Sequence, residues 1–164
     1  LGVASIWEQR KGFNYFLKLA EQLTDSDVIV LVGLSESQIS KLPKNIIGIS
    51  KTNNLHELAK IYSAADVFFN PTLEDNFPTT NIEALACGTP VITFNTGGSI
   101  ETIDEKSGII IEKGNIPSLI EAISKIKEIG SYKESCISRA RRLYNKNDRF
   151  SEYIFSYESA INVT

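Results

Sequence analysis

The sequence predicts a doubly wound α/β fold, in which helices cover both faces of a parallel sheet of about six strands. Short apolar runs rich in β-branched residues alternate with segments whose apolar residues recur at helical spacing. The apolar runs are continuous, which is typical of strands buried on both faces of a parallel sheet. After residue 111 only helical patterns remain, so extra helices are expected at the C-terminal end.

The predicted elements follow in chain order. Strands are predicted at residues 1–4, 28–32, 46–49, 67–69, 91–94 and 109–111. Between the strands, residues 13–23 and 55–62 carry apolar side chains at the i, i+3, i+4 and i+7 positions of an amphipathic helix. The short connections fit right-handed βαβ units.

Three helices are predicted after the last strand. Asn115 can cap the first of them, with Pro117 inside its first turn and Gly130 after its end. Apolar residues at helical spacing predict two more, over residues 137–144 and 150–161. The sequence has no repeat, low-complexity segment or linker, so residues 1–164 are predicted to form one domain.

The composition argues against several classes of function. A net charge of −3 provides no broad cationic surface, so nucleic acid is not an expected partner. Cys87 and Cys136 lie 49 positions apart without a metal-site pattern, which favours a reduced cytoplasmic setting and no metal. No run approaches the roughly 20 apolar residues of a membrane span. Asn162 begins a glycosylation sequon, to which we assign no role.

Ligands of such sheets bind beyond the carboxyl ends of the strands, which selects the loops at 5–12, 71–78 and 95–99. The first loop carries Arg10 and Lys11 just before a helix, where cations and free amides suit a diphosphate. A solvated surface pair is the alternative. The third loop contains Gly97 and Gly98, which allow close backbone approach to a ligand but also form ordinary strand exits.

Residues 70–92 form the most informative segment. They place Asp75 on a loop and Glu83 near the start of a helix, beside free amides expected at Thr79 and Thr80. Two interpretations of Glu83 stay open. The Thr80 to Glu83 spacing is that of a capping box, and Glu83 could also accept hydrogen bonds from ribose hydroxyls next to an anion site.

This segment resembles the C-terminal domain of the retaining GT-B glycosyltransferases, the group that includes sucrose synthases and bacterial mannosyltransferases. Two carboxylates separated by seven residues, Asp75 and Glu83, precede the run ALACGTPVI at 84–92 and follow YSAADVF at 62–68. The resemblance extends over essentially the whole chain. It implies that residues 1–164 are the Rossmann-like, donor-binding half of a GT-B enzyme, whose N-terminal acceptor domain is absent from this chain.

The resemblance also implies a role for each matching residue. Lys11 matches the lysine that binds the donor diphosphate, Glu83 the carboxylate that binds the ribose, and Asp75 the carboxylate that holds donor-sugar hydroxyls. These three are the catalytic candidates. The donor-binding set implied by the resemblance is Ser5, Arg10, Lys11, Gly12, Asp75, Asn76, Phe77, Pro78, Thr79, Thr80 and Glu83.

The sequence departs from the family pattern at two positions. Asp75 is one methylene shorter than the usual glutamate. Eight residues separate the adjacent Glu74 from Glu83, whereas the family pattern has seven, so Asp75 is the better match. Ser5 stands where the family commonly has an arginine. Three outcomes stay open: Arg10 replaces that arginine, the diphosphate binds more weakly than usual, or the other domain supplies the missing charge.

The function implied by the resemblance is metal-independent, cofactor-free transfer from a UDP- or GDP-sugar, with retention, to a saccharide or lipid-linked acceptor in cell-surface polysaccharide biosynthesis. Its partners would be the N-terminal domain of the same enzyme and that acceptor, and the fragment alone is expected to bind donor without transferring it. A cytoplasmic location is implied. For the basic residues Arg139, Arg141, Arg142 and Lys146, peripheral contact with the inner membrane face and a solvated helix face both stay open.

Two alternative functions stay open. The first is a non-catalytic nucleotide-binding or protein-interaction module with the same fold, which the departures at Ser5 and Asp75 favour. The second is a flavodoxin-like receiver domain, because fold class alone does not determine function. Receivers need clustered acidic residues after the first strand, and residues 5–11 hold one carboxylate among basic neighbours.

Overall fold

The computed structural model describes residues 1–24 and 26–161. The strands in this part of the chain are β1 Gly2–Val3, β2 Ile29–Val32, β3 Ile46–Ile49, β4 Phe68–Asn70, β5 Val91–Phe94 and β6 Gly108–Ile111. Their bounds agree with the predicted strands to within one residue. The sequon at 162–164 lies outside the described residues.

The strands form two parallel three-stranded sheets, ordered β1-β2-β3 and β4-β5-β6. The prediction of one doubly wound sheet of about six strands is therefore confirmed only in part. The sheets lie side by side, because Leu1 exchanges backbone hydrogen bonds of 2.9 Å with Val67 and Phe69. β1 contains only two residues, which is too short to form a continuous ladder with β4.

The helices lie between and after the strands. They are α1 Phe13–Ala20, α2 Glu36–Ile39, α3 Leu55–Ala64, α4 Thr79–Ala86, α5 Ile116–Ile129, α6 Lys133–Tyr144 and α7 Lys146–Ile161. Two 3₁₀ helices, Gln9–Lys11 and Gly97–Thr102, occupy the first and third of the predicted ligand loops. The prediction of extra C-terminal helices is confirmed by α5, α6 and α7.

The start of α5 follows the chemistry that its sequence predicts. Asn115 accepts a hydrogen bond of 3.0 Å from the amide of Ser118, and Pro117 lies in the first turn, where its missing N–H leaves no bond unmade. Gly130 ends the helix. The residues that begin and end this helix are those that the local sequence predicts.

The hydrophobic core lies between the sheets and the helices that cover them. Phe16 of α1 is 1% exposed and packs edge-on against Trp7 and Phe69, with ring centroids 5.4 and 5.2 Å apart. Leu85 of α4 and Leu119 of α5 are fully buried. Anchoring these helices in one core fixes the strand ends and the start of α4 relative to each other.

The last helix lies outside this core. α7 has no buried side chain, and its aromatic and aliphatic residues are exposed at Phe150, Tyr153, Ile154, Phe155 and Tyr157. Over the described residues, no helix combines the length and the apolar character needed to cross a membrane.

Candidate functional site

A cleft of about 510 Å³ opens at the carboxyl ends of β1, β2 and β3, beside the start of α4. Its volume falls in the range of small-molecule sites. The predicted site residues that line it are Ser5, Lys11, Asp75, Phe77, Pro78, Thr79, Thr80 and Glu83. The strand-end rule therefore located the cleft, and most of the predicted residues meet in it.

Lys11 reaches the cleft from the 3₁₀ helix after β1. The next residue, Gly12, has a φ of 74°, and a Cβ there would lie 2.2 Å from the carbonyl oxygen of Pro71, so glycine alone lets the two loops approach this closely. The Lys11 Nζ donates to Asp75 Oδ2 at 2.7 Å. Their side chains are 23% and 15% exposed, so two of the three catalytic candidates form a partly buried ion pair.

Asp75 is held in place by backbone contacts. Its Oδ1 accepts from the Phe77 amide at 3.2 Å, and its carbonyl oxygen accepts from the Gly98 amide at 3.1 Å. A Cβ on Gly98 would lie 1.7 Å from the carbonyl oxygen of Asn76. The glycine-rich third loop thus supports the Asp75 loop and does not itself line the cleft. Glu74 is exposed and, unlike Asp75, does not line the cleft.

Glu83 does not form the capping box that its spacing from Thr80 suggested. α4 begins at Thr79 with Pro78 as the N-cap residue, and no side chain caps it. Thr80 is therefore already helical and cannot act as the cap. Instead, the Glu83 carboxylate accepts a hydrogen bond of 3.0 Å from the hydroxyl of Tyr62 on α3.

The start of α4 presents unpaired backbone donors to the cleft. The Asn81 amide donates to the Pro78 carbonyl at 3.1 Å, whereas the amides of Thr79 and Thr80 have no acceptor in the described part of the chain. Free amides at a helix start carry the positive end of the helix dipole and attract anions. Lys11 lines the same cleft, so a lysine ammonium lies on the wall that also carries the free amides of Thr79 and Thr80.

The structure also shows which predicted residues stay outside the cleft. Arg10 is 53% exposed and pairs with Glu8 at 3.1 Å, and neither Arg10 nor Gly12 nor Asn76 lines the wall. In this structure Arg10 therefore does not stand in for the arginine that Ser5 replaces.

Sequence reasoning missed part of the wall. Gly33 after β2 and the Ser50, Lys51 and Thr52 segment after β3 line the cleft together with Leu58 of α3. The strand-end rule would have found the segments after β2 and β3 if it had been applied to every strand of the first sheet, whereas Leu58 lies within a helix and outside its reach. Lys51 adds a second lysine to the wall.

The electrostatics of the wall favour a polar ligand. Burial, reinforced by the nearby Glu83 carboxylate, raises the pKa of Tyr62, so the phenol keeps its proton. Across residues 1–24 and 26–161, His, Cys, Asp and Glu side chains form no group of three that could hold a metal ion. The wall instead offers amides, lysines and carboxylates.

Comparison with known proteins identifies relatives over most of the chain. The family described as Glycosyl transferases group 1 matches residues 3–143. The chain is 37% identical over 138 residues to the capsular polysaccharide biosynthesis glycosyltransferase CapM of Staphylococcus aureus. The aligned region covers 83% of this chain and 35% of CapM. It is 30% identical over 117 residues to the putative teichuronic acid biosynthesis glycosyltransferase TuaC of Bacillus subtilis, covering 71% of this chain and 30% of TuaC.

Solved structures share the fold. Sucrose-phosphate synthase from Thermosynechococcus elongatus superposes with a TM-score of 0.84 at 24% identity, covering 99% of this chain and 45% of that one. HepE from Anabaena, solved in complex with UDP, has a TM-score of 0.74 at 20% identity, covering 94% of this chain and 48% of HepE. The chain thus spans less than half the length of these four proteins. Because the family model matches residues 3–143, the chain belongs to the family Glycosyl transferases group 1.

Proposed function

We propose that this domain binds the nucleoside diphosphate of a nucleotide-sugar donor, as the donor half of a retaining glycosyltransferase that builds cell-surface polysaccharide. The observation that carries the proposal is the convergence of Lys11, Glu83 and the free amides of Thr79 and Thr80 on one cleft. Cations and helix-start amides suit a diphosphate, and a carboxylate suits vicinal hydroxyls. HepE, which shares the fold, has been solved with UDP-glucose.

The cleft wall suggests how each part of the donor is held. The diphosphate accepts hydrogen bonds from Lys11 and from the amides of Thr79 and Thr80. The ribose hydroxyls donate to Glu83. Leu58 lies one helical turn before Tyr62, the residue that contacts Glu83, so it offers an apolar surface to the base next to the ribose.

The same groups account for transfer. Negative charge develops on the departing nucleoside diphosphate, and donors fixed in advance stabilise that charge without reorganising. When the diphosphate takes Lys11, the Asp75 carboxylate loses its ion-pair partner and becomes free to accept from donor-sugar hydroxyls. No step in this scheme requires a metal or a cofactor.

The rest of the enzyme would supply the acceptor-binding site. Because the matched part of this chain covers 35% of CapM and 45% of sucrose-phosphate synthase, we assign this chain the donor domain and place acceptor binding in an N-terminal domain of the same enzyme. The names of CapM and TuaC refer to the biosynthesis of capsular polysaccharide and teichuronic acid, which favours a saccharide or lipid-linked acceptor. We further propose that the enzyme works at the cytoplasmic face of the membrane. Exposed Arg141, Arg142 and Lys146 would provide peripheral contact, which co-sedimentation with anionic vesicles tests.

Calorimetric titration of the chain with UDP, GDP and ADP in parallel tests the proposal. We expect saturable binding of at least one of them and a large loss of affinity in Lys11→Met. Lys60→Met is the matched control, because Lys60 is an exposed lysine on α3 that does not line the cleft. Absence of binding by all three nucleotides, or equal affinity of Lys11→Met and the unmodified chain, would refute the proposal.

A non-catalytic nucleotide-binding module is the second candidate. It is favoured by Ser5 in place of the family arginine and by Arg10, which pairs with Glu8 outside the cleft. Because of these two features, fewer cationic side chains are available to a diphosphate than in the family pattern. Sugar transfer by the full-length enzyme, measured with the nucleotide sugar whose diphosphate binds this chain, separates the two candidates.

A further inference from the structure

Tyr62 is a buried phenol whose hydroxyl reaches the wall of the cleft. Its side chain is 1% exposed, and its ring packs edge-on against Phe68 with centroids 5.4 Å apart. Its carbonyl oxygen accepts a hydrogen bond of 2.6 Å from the hydroxyl of Thr89, which ties α3 to the segment before β5. Tyr62 is therefore fixed by both its backbone and its ring.

Glu83, in contrast, has little else to hold its side chain. It is exposed, and the bond from the Tyr62 hydroxyl at 3.0 Å is the one hydrogen bond of its carboxylate within the described residues. A glutamate without that bond would sample several rotamers and would lose this freedom on binding a ligand. The bond engages Oε2, so Oε1 remains free to accept from a ligand in the cleft that Glu83 lines.

We propose that Tyr62 is a positioning residue, which holds the Glu83 carboxylate so that its free oxygen accepts from the ribose hydroxyls of a nucleoside diphosphate. The proposal rests on the proposed function, in which Glu83 binds the ribose. The raised pKa of Tyr62 keeps the phenol protonated across the physiological range, so it remains a donor to Glu83. Tyr62 itself touches no reacting atom in this scheme.

Tyr62→Phe tests the proposal, because it removes the hydroxyl and keeps the ring. The variant and the unmodified chain are titrated with whichever of UDP, GDP and ADP binds most tightly, and with its 2′,3′-dideoxy analogue. Immobilising one free side chain corresponds to a loss of about two- to tenfold in affinity. We expect that loss for the nucleotide with both hydroxyls and no loss for the dideoxy analogue, which offers Glu83 nothing to bind.

Two controls separate positioning from a general structural effect. Tyr132→Phe removes the hydroxyl of another buried tyrosine, which does not line the cleft, and should change neither affinity. In the Glu83→Ala background, Tyr62→Phe should have no further effect, because the carboxylate that it positions is gone. This second comparison is internal to one background, so it stays informative even if Tyr62→Phe lowers the melting temperature.

Each outcome decides the question. An equal loss for both ligands would mean that Tyr62 shapes the cleft as a whole, and no loss for either would mean that Glu83 needs no positioning. Both results overturn the inference while leaving nucleotide binding by the unmodified chain intact. If the unmodified chain binds none of the three nucleotides, the proposed function fails and this inference fails with it.

Discussion

Lys11 and Asp75 should respond to substitution with opposite signs, although they form one ion pair. The Lys11 ammonium lies 2.7 Å from Asp75 Oδ2, so a diphosphate must compete with that carboxylate for the lysine. Lys11→Met removes the group that the diphosphate needs. Asp75→Asn removes the competitor and its repulsion of the diphosphate, and should therefore tighten the binding of a nucleoside diphosphate that carries no sugar.

The two effects differ in size as well as in sign. Loss of a charge-assisted hydrogen bond to the diphosphate corresponds to about 1.5–3 kcal/mol, or roughly 10- to 150-fold weaker binding for Lys11→Met. The ion pair lines an open cleft, with side chains 23% and 15% exposed. Removing it should release only about 0.5–1 kcal/mol, or roughly two- to fivefold tighter binding for Asp75→Asn.

Calorimetry with the unmodified chain and both variants measures these affinities directly. Glu74→Gln is the matched control, because Glu74 is an adjacent exposed carboxylate that does not line the cleft and carries the same charge. It should change affinity only slightly and only at low salt. If Asp75→Asn weakens the binding of the sugar-free nucleotide, or if Glu74→Gln changes the affinity as much as Asp75→Asn does, then Asp75 does not compete with the diphosphate for Lys11.

Three further results are expected. Glu83→Gln should weaken nucleoside-diphosphate binding in calorimetry by about three- to tenfold. The melting temperature should stay nearly unchanged, because the exposed carboxylate contributes little to packing. Unchanged affinity, or a marked fall in the melting temperature, would contradict this. Gly98→Ala should lower both the nucleotide affinity and the melting temperature, because a Cβ there would lie 1.7 Å from the Asn76 carbonyl oxygen in the loop after β4. An unchanged melting temperature would count against that contact. Burial alone would raise the pKa of Asp104, but the Ser107 hydroxyl and the Arg139 guanidinium hold it below its ordinary value of 3.8. That contribution to stability is present above the ordinary pKa and is lost as the pH falls below it, so urea unfolding of Asp104→Asn should depend less on pH in that acidic range than unfolding of the unmodified chain.

The strands and the longer helices could be predicted because their signals are local. Continuous apolar runs mark β2, β3 and β5, and the cap at Asn115 with Pro117 marks the start of α5. The division into two sheets was missed because it depends on the length of β1, and a four-residue apolar run does not reveal that only two residues form a ladder. α2 is too short, at four residues, for any periodicity to indicate it.

The site was predicted in outline because strand ends and helix starts can be located from sequence. The pairings inside it could not be predicted, since Lys11 and Asp75 lie 64 positions apart and Tyr62 and Glu83 lie 21 apart. The capping box failed for a different reason. The spacing of Thr80 and Glu83 is that of a capping box, but the N-cap residue of α4 is Pro78. Thr80 is the second residue of the helix and so cannot occupy the capping position.

The central claim is that Lys11, Glu83 and the amides of Thr79 and Thr80 hold one nucleoside diphosphate. A crystal structure of this chain with the nucleotide that it binds most tightly tests that claim most directly. We predict diphosphate oxygens within hydrogen-bonding distance of the Lys11 ammonium and the two amides, with a ribose hydroxyl on Glu83. A nucleotide bound elsewhere on the domain, or one in the cleft that leaves Lys11 paired with Asp75 and Glu83 without contact, would contradict the account.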